Sequence, residues 1–167
     1  MTLRQIDATD AEFILALYNS PKFIEYIADR KIRTPEDAER YIREKMQPGP
    51  ESYVLVNYVM IRKEDGVKLG SCGLFERQGL EGVDIGFALL PQFEGQGFAL
   101  EAALQVRDAA FEDYGLKEII AITDQRNFAS QQLLEKLGMI LDGPTKLPDD
   151  DTPLYLYLLR KNQWRQR

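Results

Sequence analysis

The chain has 167 residues, of which 44% are hydrophobic and 29% charged, with a net charge of -6; this suits one globular domain with a sizeable core. With no histidine and a single cysteine, Ser-His-Asp and Cys-His mechanisms, His-ligated zinc and an internal disulfide are all excluded. The negative balance argues against general nucleic-acid binding, which needs Lys and Arg to neutralise phosphates, and fits either a cationic substrate or a purely solubilising surface charge. No apolar signal segment follows Met1, and no apolar run approaches membrane-spanning length. The expectation is a soluble, cytoplasmic chain without membrane or metal.

Leu3 to Ile6 read as a first strand, and Thr9-Asp10-Ala11-Glu12 as a capping box opening a helix with Phe13, Ile14 and Leu17 on one side. Asn19-Ser20-Pro21 interrupts it before a short helix over Phe23 to Ile27. Thr34-Pro35-Glu36-Asp37 starts the next helix, carrying Ala38, Tyr41, Ile42 and Met46, and Pro48-Gly49-Pro50 stops it. Tyr53 to Ile61 is apolar nearly throughout, as in a strand buried on both faces. Asp65-Gly66 predicts a hairpin into Val67 to Phe75, and Val83 to Leu90 completes an antiparallel meander. Cys72, inside the second of these strands, reads as a small buried apolar residue rather than a nucleophile.

Pro91 to Ala99 then turns a strand into the longest helical pattern in the chain, with Leu100, Ala103, Leu104, Ala110, Phe111 and Tyr114 at near-helical spacing before Gly115. Gly95 and Gly97 allow backbone amides to converge at a helix N-terminus, where the dipole favours an anion such as phosphate. The alternative is an ordinary strand-to-helix turn. Phe98-Ala99 replaces the Lys-Ser/Thr of a P-loop, and Leu100 stands where a dinucleotide fingerprint needs a third small residue. Both nucleotide readings weaken. Glu118 to Thr123 is the next strand, parallel to Val83–Leu90 through a right-handed crossover, so the sheet is mixed and a ligand site belongs where its pairing changes. Asn127 caps a helix that buries Ala129, Leu133, Leu134 and Leu137. Met139 to Leu141 and Leu154 to Leu159 close the sheet around a Gly143–Pro153 loop containing Asp149-Asp150-Asp151. That loop reads as solvated, with a substrate-facing role as the alternative.

Several of these segments occur in a recognisable order: Leu15-Ala16-Leu17-Tyr18-Asn19, Tyr26-Ile27-Ala28-Asp29-Arg30, Val83-Asp84-Ile85-Gly86-Phe87, Gln92-x-x-Gly95-x-Gly97, Phe98-Ala99-Leu100-Glu101-Ala102, and Asn127-Phe128-Ala129-Ser130 before Leu134-Glu135-Lys136-Leu137-Gly138-Met139. Over nearly its whole length the chain resembles the GNAT superfamily of N-acetyltransferases, and most of all the branch containing the ribosomal-protein N-terminal alanine acetyltransferases. The resemblance implies a mixed α+β fold over residues 1–167, with a central sheet of about seven strands and helices on both faces. It implies acetyl-CoA, or another acyl-CoA, as donor and a primary amine, a protein N-terminus or a small molecule, as acceptor, in a monomer or homodimer. Backbone amides of Phe93, Glu94, Gly95, Gln96, Gly97 and Phe98 would hold the pyrophosphate. Free backbone groups of Ala88, Leu89 and Leu90 would pair with pantetheine, and Asn127 and Ser130 would lie near the thiol.

The same resemblance makes Asp84 the general base, because an alkyl amine of pKa ~10 must lose a proton before it attacks. An acid in an apolar strand is otherwise expensive unless salt-bridged, which is the structural alternative. The amide of Leu89 or Leu90 would meet the oxyanion. Many family members carry a tyrosine acid seven residues after the capping asparagine, but here the residue is Leu134. Ser130 is its replacement by analogy, unless the thiolate leaves unaided. Tyr155 and Tyr157 on the last strand are further candidates for the acid, with core packing as the reading for at least one of them. The competing class is a catalytically silent acyl-CoA-binding sensor.

Overall fold

Seven strands form one sheet in the order β1-β2-β3-β4-β5-β7-β6 in the computed structural model, which describes residues 1–49 and 52–165. Pro50, the last residue of the expected helix stop, lies outside the described residues, as do Glu51, Gln166 and Arg167. The strands are β1 (Thr2–Gln5), β2 (Val54–Ile61), β3 (Lys68–Phe75), β4 (Val83–Leu89), β5 (Glu118–Asp124), β6 (Ile140–Thr145) and β7 (Leu154–Arg160). All neighbours are antiparallel except β4 and β5. The mixed seven-stranded architecture expected from the sequence is therefore present. The helices are α1 (Ala11–Tyr18), α2 (Pro21–Tyr26), α3 (Pro35–Tyr41), α4 (Phe98–Glu112), α5 (Phe128–Lys136) and α6 (Lys161–Trp164).

Two apolar clusters lie on opposite faces of this sheet. Ile85, Ile119 and Ala121 pack with Ala102, Val106 and Phe111 of α4 and Leu134 of α5. Val59 packs with Ile14 and Leu17 of α1 and with Ala38 of α3. Because side chains alternate along a strand, Asp84, next to Ile85, lies on the α1–α3 face. This division between an α4/α5 face and an α1–α3 face positions every group discussed below.

The first helix starts differently from the expected Thr9 box. Asp7 accepts from the Thr9 N–H at 2.8 Å, and Asp10 accepts from the Asp7 N–H at 3.0 Å, so the box is built by two aspartates around a short turn. Asp10 is fully buried and is held by Arg4 at 2.7 Å and Lys68 at 2.6 Å. Lys68 comes from a distant strand, and that partner lets a carboxylate displace the threonine as anchor. Farther on, Leu134 and Leu137 are buried as expected, whereas Ala129 is exposed and Leu133 only half-buried, so the buried stripe of α5 and its C-cap is narrower than expected. The edge strand β6 also runs on to Thr145, with a register shift between Leu141 and Gly143 that absorbs the start of the expected loop.

Candidate active site

The ladder between β4 and β5 has only two registered pairs, Val83 with Ile119 and Asp84 with Ile120. On its other edge, β4 stays paired with β3 from Asp84 to Leu89. Beyond Asp84 the sheet forks, with one edge of β4 unpaired. The Leu90 N–H donates to Leu69 O at 2.9 Å. Antiparallel pairs alternate between bonded and non-bonded, so Ala88 also spends its backbone groups on β3, while Phe87 and Leu89 present theirs to the fork. This corrects the expected set. The Leu90 amide is committed to the sheet, which leaves Leu89 as the candidate oxyanion donor, and Phe87, which sequence reasoning missed, takes the place of Ala88 and Leu90 in offering free groups. A one-residue register cannot be read from an apolar run, although the two-residue alternation was available as a signal.

Past the fork, Pro91–Phe93 makes one tight turn in which the Phe93 N–H donates to Leu90 O (3.0 Å) and the Glu94 N–H to Pro91 O (3.3 Å). Those two amides are therefore not free for a ligand, contrary to expectation. Gly95 (φ 71°) and Gly97 (φ 86°) take the left-handed conformation that only glycine adopts cheaply. No side chain caps α4, and its first backbone bond runs from the Glu101 N–H to Gly97 O. The amides of Gly95, Gln96, Gly97 and Phe98 make no backbone bond among the described residues. They lie at the N-terminus of a 15-residue helix, an arrangement that fits a pyrophosphate. The side chains here brace the loop: Glu94 pairs with Lys22 of α2 at 2.6 Å, and Gln96 Nε2 donates to Gln92 O at 3.1 Å.

Asp84 is 2% exposed and ion-paired with Arg77. Burial pushes its carboxyl above the ordinary value, against the pull of the Arg77 guanidinium and the Ile122 amide. Arg77 was missed by sequence reasoning. The meander registers Phe75 opposite Asp84, so a cation two residues past Phe75 was the available signal. Asn127 Oδ1 accepts from the Ser130 N–H at 3.2 Å, making Asn127 a helix cap. The Ser130 hydroxyl makes no hydrogen bond among the described residues. Asp84, Asn127 and Ser130 all line one cleft of about 740 Å³. Asp84 enters it from the α1–α3 side, whereas Ser130, on α5, belongs to the opposite face. Buried Thr123, unexpected from sequence, also lines the cleft, on the strand that carries Asp124 and leads to Asn127.

Other candidates fall away. Burial pushes the Cys72 thiol up to about 12, so it is a structural residue. Tyr157 is core and Tyr155 packs against it. Among the described residues no group of three Cys, Asp or Glu side chains is placed to hold a metal, and no helix is long and apolar enough to cross a membrane.

A sheet forked between a meander strand and its crossover partner, with an amide-rich helix start at the open end, defines an acyl-CoA-dependent acyltransferase. Residues 1–140 match the family model described as an acetyltransferase (GNAT) domain. The chain belongs to this family and is an acetyl-CoA-dependent N-acetyltransferase, with acetyl-CoA as the acyl donor. It is 23% identical over 168 residues to the uncharacterised N-acetyltransferase YnaD of Bacillus subtilis, covering 98% of this chain and 95% of that protein. Its fold is similar to a GNAT-family acetyltransferase from Bacillus anthracis, with TM-score 0.77 and 22% identity over 96% of this chain and 94% of that one. It is also similar to the spermidine N-acetyltransferase of Vibrio cholerae in complex with CoA and spermine, with TM-score 0.79 and 17% identity over 98% and 97% of the two chains. The aminoglycoside acetyltransferase AAC(6')-Ib, in complex with CoA and kanamycin, gives TM-score 0.79 at 16% identity over 99% and 97%.

Proposed function

We propose that this protein moves an acetyl group from acetyl-CoA to a primary amine by direct attack on the thioester, with Asp84 as proton acceptor. The observation that carries the reading is the position of Asp84 on the last rung of the β4–β5 ladder. There a buried carboxylate of raised pKa meets the opening through which two substrates from opposite faces reach each other. Gly95, Gln96, Gly97 and Phe98 hold the pyrophosphate by their amides, and Phe87 and Leu89 offer backbone groups to the pantetheine. Otherwise those groups would be costly to bury unpaired.

Asp84, oriented by Arg77, takes the proton that the attacking nitrogen must lose, directly or through one water. The nitrogen forms its bond to the acyl carbon while the Leu89 amide stabilises the oxygen. The carbon–sulfur bond breaks, the departing thiolate takes a solvent proton relayed through the Ser130 hydroxyl, and Asp84 returns the amine's proton to solvent. The net reaction yields an N-acetyl product and free CoA thiol. Primary amines as the acceptor class are supported by the polyamine and aminoglycoside complexes of two structural neighbours. Asp149 and Asp150, which line the cleft, favour approach of a cation.

Within the family, the Asn127-Phe128-Ala129-Ser130 and Leu134–Met139 segments support a grouping with the ribosomal-protein N-terminal alanine acetyltransferases. Residues 1–167 act as one catalytic domain, in the cytoplasm, as a monomer or homodimer. The test is release of CoA thiol from acetyl-CoA with peptide N-termini, amino acids, polyamines and aminoglycosides, beside the binding of CoA alone. Tight CoA binding with no turnover on any amine overturns the enzyme in favour of the silent acyl-CoA sensor.

A further inference from the structure

On the acceptor face the cleft reaches well past Asp84, across β3 to β2. Two polar side chains line it there, Asn57 on β2 and Ser71 on β3, and each is more than nine-tenths buried, at 5% and 7% exposure. Neither side chain makes a hydrogen bond among the described residues. At the same time, no fully buried polar side-chain atom among those residues lacks a partner. The free amide of Asn57 and the free hydroxyl of Ser71 therefore reach the cleft itself.

The sheet register puts them on one face. Asn57 is opposite Gly73, Gly73 is opposite Gly86, and Ser71 is opposite Ala88. Strands lie about 4.8 Å apart, so Ser71 is roughly 5 Å and Asn57 roughly 10 Å across the sheet from β4. The phenyl ring of Phe75 lies over the two glycines between them. A Cβ at Gly86 would come within 3.2 Å of that ring, and Arg77 stacks above it at 5.1 Å. The floor thus runs from the Asp84–Arg77 pair, over an aromatic surface, to two uncharged hydrogen-bonding groups.

We propose that Asn57 and Ser71 form a neutral recognition subsite for the acceptor, selecting amines that carry a hydroxyl or an amide a few bonds beyond the reacting nitrogen. The proposal rests on the acetyl-transfer reading above for the position of that nitrogen. An apolar chain would strip water from both groups and return nothing. A site built to hydrogen-bond a substrate rejects the analogue that lacks the group much more strongly than a pocket rejects a missing methylene. A hydroxyl satisfies the subsite through an amino alcohol or an aminosugar, and an amide through an amino-acid amide or peptide.

The experiment compares amino alcohols and amino amides with two to four methylenes against n-alkylamines of equal length. Activity is read as kcat/KM for the full chain with acetyl-CoA. Wild type should favour the hydroxyl- or amide-bearing acceptors by at least about tenfold. Ser71→Ala and Asn57→Leu should each erode that preference while leaving alkylamine turnover and CoA affinity within about twofold. The hydroxyl and amide arms separate the two sources. Equal wild-type rates for matched pairs, or an equal loss on every acceptor in both variants, overturns the subsite. A readout free of turnover is the Asn57 side-chain amide resonance in CoA-loaded protein. Amino alcohol or amino amide should shift it and alkylamine should not, even if no amine is acetylated; a resonance that ignores all three shows the groups hold only water.

Discussion

Asp84 and Ile120 are the last registered partners between β4 and β5, so the carboxylate stands at the apex of the fork. It faces α1–α3, whereas Ser130 reaches the cleft from α5 on the other face. In the proposed reaction, base and thiol-side group thus approach one cleft from opposite sides of a sheet.

Replacing Asp84 with Asn should lower kcat/KM by about 10²–10⁴, with CoA affinity unchanged by equilibrium titration. Burial raises the Asp84 pKa, so in the wild type the rate should fall as pH drops through a value above the ordinary carboxylate range. The Asn variant should lack that acidic limb. The same shift has a stability sign: the native state binds this proton more tightly than the unfolded chain does. The Asp84 contribution is present at low pH and is lost as pH rises through its folded pKa.

Ser130→Ala removes a hydroxyl but neither the Asn127 cap nor the helix. We expect kcat to fall about tenfold with CoA affinity intact, a partial loss because a thiolate of pKa ~8.5 is a fair leaving group. Stopped-flow thiol release measures it, and a full-rate variant would mean the thiolate departs without help.

Gly97→Ala tests the turn by conformation alone, since an added Cβ would meet nothing within 4 Å. Holding φ near 86° with a side chain costs about 1–2 kcal/mol. Relaxing it turns the amides away from the pyrophosphate. Calorimetry should show CoA binding weakened by about tenfold, and urea unfolding a destabilisation of that size.

Asp10 gives a pH signature far from the site. Burial opposes its charge, but Arg4, Lys68 and the Asp7 amide prevail and bring its pKa to about 2. A depressed carboxylate stabilises above its unfolded value of 3.8 and loses that contribution as pH falls toward 2. Urea midpoints should therefore drop across this window by an amount worth up to about 2 kcal/mol. Asp10→Asn, already lacking the charge, should be flatter there.

The strand, glycine turn and helix from Val83 to Glu112 were legible in the amino-acid order because each signal is local. Alternation, left-handed glycines, an uncapped helix start and the Asn127 cap all depend on neighbours within a few residues. Tertiary structure alone decided which groups in that stretch are free. Leu69, from another strand, takes the Leu90 amide, and Arg77 takes Asp84. Residues with no local motif, Asn57 and Ser71, come to line the α1–α3 side of the cleft. Pairing register and ion partners are set by chain segments far apart in sequence, and a shift of one residue exchanges the two edges of a strand. The sequence by itself therefore determined the donor and the place of the fork, while the packing of β2, β3 and the first helices decided which polar groups line the far side of the cleft.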